Sequence, residues 1–250
     1  MTNFKTSLIN ELEKLYKKKK AMVAVALSLI FIVFGQIFIS VLRNNFGVQG
    51  VSSSEFPLLI LSIIINTLLP LFIALITIDS FSGEFSQNTM KITLTRPVSR
   101  FKLYLSKILS IFIFAFSILI LCMILSIISG IIFNLNSFNF LDVSKIILSY
   151  IVTILPVMIL CLIIVILTNI LKSGIAVFFL SILIFIAFKA LEIFFPSYSG
   201  ILFTSMFGWY NLWIMDGIPL FKIFRDFMMI LSYDIILFTA GYYIFDKRDF

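Results

Sequence analysis

Six long runs of apolar residues divide this chain and dictate its fold class. A helix needs roughly 20 mostly apolar residues to cross a hydrocarbon core of about 30 Å. Six stretches satisfy that requirement, at residues 21–42, 57–78, 103–133, 146–167, 174–195 and 227–245. Hydrophobic residues make up 61% of the 250 residues and charged residues 12%, compared with roughly 45–50% and about 25% in soluble domains. The pattern predicts an all-α integral membrane protein with six transmembrane helices and excludes a soluble enzyme.

The residue types available also limit the chemistry. The chain has no histidine and two cysteines, Cys122 and Cys161, both inside apolar runs. Zinc, haem and imidazole-based catalytic sites therefore have almost no ligands or bases to use, and a free cysteine in such a run packs as a small hydrophobe. We predict no catalytic residue and no metal site. An intramembrane enzyme is the weakest hypothesis, because no nucleophile–base pair or metal-ligand cluster is visible.

The distribution of Lys and Arg predicts the orientation in the membrane. The net charge is +7, and most Lys and Arg residues lie in residues 1–20, in residues 79–107, at position 172 and in the tail. The opposite connections contain fewer cations, namely Arg43, Lys145, Lys222 and Arg225. Because cytoplasmic connections carry the excess of positive charge, both termini are predicted to lie in the cytoplasm. The charge therefore indicates topology, and no nucleic-acid partner is expected.

The first twenty residues are predicted to be an amphipathic helix that precedes the membrane domain at residues 21–250. Apolar residues recur at helical spacing, with Lys and Glu between them, at Phe4, Leu8, Leu12 and Leu15. Such a helix lies on the inner membrane surface, and its lysine run faces anionic lipid headgroups. The alternative is a basic anchor without regular structure.

The connection at residues 196–226 is predicted to lie on the outer face. It is rich in aromatic residues and contains both tryptophans, Trp209 and Trp213. Trp and Tyr collect at the headgroup level of membranes, so short helices that dip into the interface are expected. They either line the exit of a translocation path or cap the helix bundle.

Three charged residues interrupt the last two apolar runs. Lys189 and Glu192 are one helical turn apart in the fifth run, and Asp234 lies in the sixth. Charges within spans usually face the interior of a bundle or a water-filled cavity. These residues are candidates for a translocation path, whereas the alternative for Lys189 and Glu192 is a self-neutralising pair near the membrane surface.

The connection at residues 79–102 is the most specific stretch of the chain. It mixes polar and apolar residues, and Phe81 and Phe85 belong to a possible apolar stripe on short helices. Pro97 stops this segment, and Ser99 is a natural N-cap for the helix that follows. An amphipathic helix of this kind can dock into a groove of a soluble partner.

This loop resembles the first cytoplasmic loop of ABC-2-type permeases, the membrane subunits of many bacterial ABC exporters. Asn88 occupies the position where that family usually has Gly, and Asn is the next most tolerant residue of a positive φ. The amphipathic start, the six runs and the DKRDF tail are also similar to the family. The matching positions in the loop are Asp79, Glu84, Thr89, Arg96, Pro97, Val98, Ser99, Arg100 and Lys107.

The resemblance implies a dimer of permeases, with an identical or a different second copy, in a bacterial cell membrane. Each permease would dock an ABC ATP-binding subunit through the loop. The chain has no G-x-x-x-x-G-K-[ST] segment to hold phosphates, so ATP and Mg²⁺ would bind to that partner. The residues assigned to coupling are Phe81, Glu84, Phe85, Asn88, Thr89, Arg96, Pro97 and Arg100.

Three functional hypotheses follow. The first is an exporter permease whose cargo is an amphipathic or hydrophobic peptide or a peptide antibiotic. In the second, the permease transports an ion or a small drug, and Asp234 contributes to its path. The third is a membrane scaffold or sensor without transport, which co-purification of an ATPase subunit would distinguish from the other two.

Overall fold

The described part of the chain is built from long helices. The structure is a computed structural model that describes residues 2–46, 55–83, 99–133, 140–171, 173–215 and 217–248. The helices are α1 (Thr2–Tyr16), α2 (Lys19–Phe46), α3 (Glu55–Asn66), α4 (Leu68–Ser80), α5 (Arg100–Phe133), α6 (Phe140–Ile170), α7 (Gly174–Phe194), α8 (Asn211–Ile214) and α9 (Leu220–Asp246). Two 3₁₀ segments, Pro196–Ile201 and Ser205–Gly208, lie between α7 and α8.

Five helices are long and apolar enough to cross a membrane by themselves, namely α2, α5, α6, α7 and α9. The pair α3–α4 passes the same test when its two members are taken together, but it is bent by 44°. The described residues therefore confirm a multi-pass helical membrane protein. Six spans result if the bent pair counts as one crossing. The last helix begins at Leu220, well before the predicted start at Phe227.

Pro70 explains the bend in the second apolar run. Proline has no backbone N–H, and its ring clashes with the carbonyl four residues earlier, which here belongs to Asn66. Side chains then satisfy backbone carbonyls near the break: Asn66 Nδ2 donates to the Ser62 carbonyl at 2.8 Å, and Thr67 Oγ1 donates to the Ile63 carbonyl at 2.7 Å. The helix is therefore interrupted without leaving these two carbonyls unsatisfied inside the bundle.

Helix α6 is the centre of the bundle. It packs against α3, α4, α5, α7 and α9, and many of its residues are buried. Near its first turns the fully buried Tyr150 donates to the Pro57 carbonyl of α3 at 2.9 Å, and its hydroxyl lies 3.2 Å from Ser126 Oγ of α5. One tyrosine thus joins three helices at that end of the bundle.

The opposite end of the bundle collects most of the predicted cytoplasmic connections. The tail Arg248 bonds carbonyls at the end of α6, and Arg100 at the start of α5 bonds the Asp246 carbonyl at the end of α9. Gly174 at the start of α7 packs against Ile78 near the end of α4. The C-terminal tail, the two ends of the 79–102 loop and the start of α7 therefore lie at the same end of the bundle. The side of the membrane that this end faces stays a prediction.

Close packing between α5 and α9 depends on the absence of a side chain at Gly241. A Cβ built there would overlap the Tyr104 hydroxyl oxygen, whereas the ring carbon that carries the hydroxyl would stay at 3.5 Å. Tyr104 is fully buried, and its ring contacts Phe238 and Phe245 of α9 at centroid distances of 5.4 Å. A buried aromatic ring in this position has little room to move.

We predict that Gly241→Ala lowers the stability of the bundle by about 1–3 kcal/mol, because overpacking outweighs the gain in helix propensity. Tyr104→Phe removes the clashing oxygen, so the double variant should recover most of the loss. The measurement is the apparent Tm of the purified protein in detergent. Gly200→Ala is the control, since an added Cβ there meets no atom within 4 Å. Equal Tm values for Gly241→Ala and the parent would contradict this packing.

Candidate functional site at the base of the 79–102 loop

A buried lysine joins three elements at the base of the 79–102 loop. Lys107 lies in the second turn of α5, and its side chain is 0% exposed. Its Nζ donates to Glu11 Oε2 of α1 at 3.0 Å and to the Ser80 carbonyl at the end of α4 at 2.9 Å. A charge removed from water in this way requires a charged partner and further hydrogen bonds. We call Glu11, Ser80 and Lys107 the inner junction.

Glu11 carries the negative charge of the inner junction. Its side chain is 4% exposed, and its Oε1 accepts a second bond from Lys14 at 2.9 Å. Burial alone raises the pKa of this carboxyl, but the charges of Lys107 and Lys14 and the hydrogen bonds from both outweigh that effect and lower the pKa. Glu11 is therefore ionised at neutral pH, and the junction weakens only as the pH falls through that lowered pKa.

Helix α1 lies along the first half of α5. Ser7 Oγ is 3.0 Å from Ser106 Oγ, and Tyr16 donates to Ser117 Oγ at 2.8 Å. These contacts flank the Glu11–Lys107 pair and follow both helices in the same order. One face of the amphipathic helix is therefore packed on protein.

Asp79, near the end of α4, forms ion pairs with two lysines at the junction of α1 and α2. Lys20 Nζ lies 2.8 Å from Asp79 Oδ1, and Lys18 Nζ lies 3.6 Å from Oδ2. Lys17 pairs with Glu13 of its own helix at 2.9 Å. Part of the lysine run predicted to face lipid headgroups thus holds the start of the 79–102 loop against the amphipathic segment.

Phe81 is fully buried inside this chain, which changes the role expected for it. The Phe81 ring packs edge-on against Tyr104 and Phe245, with centroids 6.2 Å apart in both pairs. The Lys107 ammonium lies 5.8 Å from its centroid. With 0% of its surface exposed, the ring is not available as a direct anchor for a partner. Its assignment to coupling stays a prediction.

Most of the other predicted coupling residues lie outside the described residues. Arg100 is exposed, and its guanidinium donates to the Asp246 carbonyl. Nearby, Arg248 donates to the carbonyls of Thr168 and Asn169 at 3.1 and 2.8 Å. A positive charge at the C-terminal end of a helix is stabilising, and these carbonyls lie at that end of α6. The predicted residues outside the described ranges are Glu84, Phe85, Asn88, Thr89, Arg96 and Pro97.

The charged pair in α7 is self-neutralising and holds the outer connection. Lys189 Nζ lies 3.0 Å from Glu192 Oε2 and donates to the Thr204 carbonyl at 3.3 Å. Both side chains are partly exposed. These contacts fasten the 3₁₀ region to α7, so they account for the two charges without a transported ligand.

The two tryptophans pack against each other in the outer connection. Their rings are perpendicular with centroids 5.5 Å apart, and Trp209 also stacks on Phe227 of α9 at 6.2 Å. Trp209 is buried and Trp213 is half-buried. This arrangement favours the capping role over the lining of an exit path.

Asp234 points one carboxylate oxygen into the bundle. Its Oδ1 is buried and has no hydrogen-bond donor among the described residues. The sequence-based expectation that Asp234 faces protein or water, and its place in a translocation path, both stay predictions.

Glu11 was not predicted from the sequence to have a role. Its position could have indicated one, because Glu11 lies between Leu8 and Leu15 on the same helical stripe, where residues three and four apart share a face. A lysine two turns into a long apolar helix also requires a carboxylate from another element. The two facts together would have predicted the pair.

We predict that Lys107→Met lowers the free energy of unfolding by about 3–5 kcal/mol, because it leaves Glu11 charged and poorly compensated in the interior. The double variant Glu11→Gln/Lys107→Met should recover much of that loss. Lys17→Met is the matched control on an exposed pair and should change stability by less than about 1 kcal/mol. The measurement is the apparent Tm in detergent. A Tm for Lys107→Met no lower than that of Lys17→Met would contradict the junction.

Comparison with known proteins places the chain in a family. A family model described as ABC-2 family transporter protein matches residues 7–188. The match begins within α1 and ends within α7, so it includes Glu11, Asp79 and Lys107. No curated protein matches the chain. The matched region covers well over half of the 250 residues, and the chain therefore belongs to the ABC-2 family of transporter proteins.

Proposed function

We propose that this chain is the permease subunit of an ATP-driven exporter, which docks a separate ATP-binding subunit through residues 79–102. Membership of the ABC-2 family indicates a multi-pass membrane subunit without enzymatic activity, and such permeases typically work with ABC ATPase partners. The observation that carries the proposal is the inner junction at the base of the loop. ATP and Mg²⁺ belong to the partner, since the chain lacks a phosphate-binding loop.

The inner junction fastens both ends of the loop to the same helix. Ser80 ends α4 on one side of the loop, and Lys107 lies near the start of α5 on the other. Glu11 joins both to α1 through the shared ammonium. A partner that displaces the loop would therefore move α1, α4 and α5 together. Packed helices transmit such shifts because close-packed cores deform little.

The bend at Asn66–Leu68 is a point at which α4 could move relative to α3. Helix α4 is the segment between the loop and the break, whereas α3 is joined to α5 and α6 through Tyr150. A displaced α4 can rotate against α3 at a point where the backbone ladder is already interrupted. A cavity of 210 Å³ lies beside the break, lined by Asn66, Pro70, Leu160, Ser181 and Phe185. Rotation at the break would alter its volume.

A second inner connection adjoins the loop. A cavity of 600 Å³ is lined by Lys20, Asp79 and Ser82 on one side and by Ser173 and Gly174 on the other. The turn between α6 and α7 thus shares this cavity with the start of the 79–102 loop. It is the alternative contact for an ATP-binding subunit.

The orientation, the second permease copy and the cargo are inferred from charge and from family resemblance. The excess of Lys and Arg supports cytoplasmic termini and a cytoplasmic 79–102 loop, in the cell membrane of a bacterium. A second permease copy, identical or different, would complete the translocation path. Amphipathic or hydrophobic peptides are the proposed cargo, in line with the apolar, aromatic outer connection. An ion or small drug that uses Asp234 is the alternative, supported by its unpartnered carboxylate oxygen.

We predict that Glu84→Ala and Phe85→Ala each leave membrane insertion intact and weaken binding of the ATP-binding subunit at least about tenfold. Buried apolar anchors and charge-assisted bonds dominate such interfaces. The first measurement is recovery of the ATP-binding subunit by co-purification. The second is ATPase activity of the complex reconstituted in liposomes, with and without a panel of amphipathic peptides.

Two matched controls separate docking from general damage. Glu13→Ala removes the same charge from an exposed position on α1, and Phe194→Ala removes a phenyl ring that is 77% exposed in α7. Neither should alter co-purification or stimulated activity. Unchanged co-purification and activity in Glu84→Ala and Phe85→Ala would move the coupling contact to the turn at residues 169–173.

A further inference from the structure

A polar cavity lies where the outer connection meets the start of α9. Its volume is 220 Å³, and its lining includes Ser199, Trp209, Lys222, Arg225 and Asp226. Asp226 is already held by Arg225, whose Nε and Nη2 lie 3.0 and 2.8 Å from its Oδ1. Lys222 is exposed and has no ion-pair partner among the described residues. The cavity therefore has one uncompensated positive charge in the part of the chain that the structure describes.

The cavity also borders an unsatisfied hydrogen-bond donor. Trp209 is 4% exposed, and its Nε1 has no acceptor among the described residues. A buried indole N–H usually has a hydrogen-bond partner, because an unpaired buried donor is destabilising. An occupant of the cavity with acceptor oxygens would bring a possible partner close to this tryptophan. The cavity thus suits an anionic group with several oxygens.

An apolar groove continues from the same cavity along α9. The groove has a volume of 640 Å³, and its lining includes Phe221, Phe224, Met228, Ser232 and Ile236. Arg225 lines both the groove and the polar cavity. The groove extends over residues 221–236, which is roughly 22 Å at 1.5 Å per residue. That length matches a large part of an acyl chain lying along a transmembrane helix.

We propose that cavity and groove together bind a phospholipid of the membrane leaflet at this end of the bundle. The phosphate lies in the cavity beside Lys222 and Arg225, and an acyl chain occupies the groove on α9. Charge complementarity selects the phosphate, and the continuous apolar groove selects a lipid over a free anion. The site is separate from the inner junction, which lies at the opposite end of the bundle.

The two tryptophans give a direct readout, since the chain has 2 in total and both belong to this region. In the purified full-length protein in dodecyl maltoside, phosphatidylglycerol with brominated acyl chains should quench indole fluorescence in a saturable manner. Trp213→Phe restricts the signal to Trp209, and the parent protein is measured in parallel. Brominated diacylglycerol, which lacks the phosphate, should quench at least about fivefold more weakly.

Three variants test the assignment. Lys222→Gln should weaken phosphatidylglycerol binding about fivefold and leave diacylglycerol unchanged. Lys145→Gln is the control, because it removes the same charge near the start of α6, at the same end of the bundle. Met228→Gln places a polar group in the groove and should weaken both lipids.

Each other result contradicts the site. Equal quenching by phosphatidylglycerol and diacylglycerol, or an unchanged affinity in Lys222→Gln, would exclude phosphate recognition. Displacement of the brominated lipid by millimolar inorganic phosphate alone would make the cavity a free-anion site. Unchanged binding in Met228→Gln would exclude the groove as the place of the acyl chain.

Discussion

A lysine ammonium that is buried away from water constrains the whole inner end of this molecule. Glu11 and the Ser80 carbonyl both bond to Lys107 there and help to stabilise it, since an unpaired charge in the interior costs several kcal/mol. The amphipathic helix α1 must therefore stay docked on α5, and α4 must end beside both. The ion pairs of Asp79 with Lys18 and Lys20 add a second tie between the same elements. The loop at residues 79–102 thus begins and ends on one packed unit.

The outer end of the bundle is organised differently. There the contacts include hydrogen bonds from side chains to backbone carbonyls, such as Tyr150 with the Pro57 carbonyl, and the perpendicular aromatic pair Trp209–Trp213. The Lys189–Glu192 pair fastens the outer connection to α7. The break at Pro70 lies between these two ends. Under the proposed function, motion that enters at the inner junction would reach this break before it reaches the outer end. One end of the bundle is held together by ion pairs, and the second span is interrupted. This arrangement fits the proposal that an ATP-binding subunit acts on the permease from one side.

The sequence predicted the fold through properties that are local. Apolar runs of about 20 residues identify membrane helices without knowledge of their neighbours. The distribution of Lys and Arg predicts which connections are cytoplasmic, and that orientation stays a prediction. What the sequence missed depends on which side chains meet. Glu11 was not among the residues singled out from the sequence, although it lies on the buried stripe of α1. Phe81 was assigned to coupling, which stays a prediction, and its ring fills the chain's own core. The bend at Pro70 was also missed, because hydropathy does not register an interrupted backbone ladder.

We propose that α1 and the start of α5 move as one unit. A disulfide that joins the two helices tests whether they do. Ser7 and Ser106 bring their hydroxyl oxygens within 3.0 Å, so Ser7→Cys/Ser106→Cys should form a disulfide in a background where Cys122 and Cys161 are replaced by Ala. The measurement is ATPase activity of the complex with its co-purifying ATP-binding subunit, before and after reduction of the disulfide. The account predicts equal activity in the oxidised and reduced forms. Activity that is lost on oxidation and restored by reduction would show that the two helices must separate, and would contradict it.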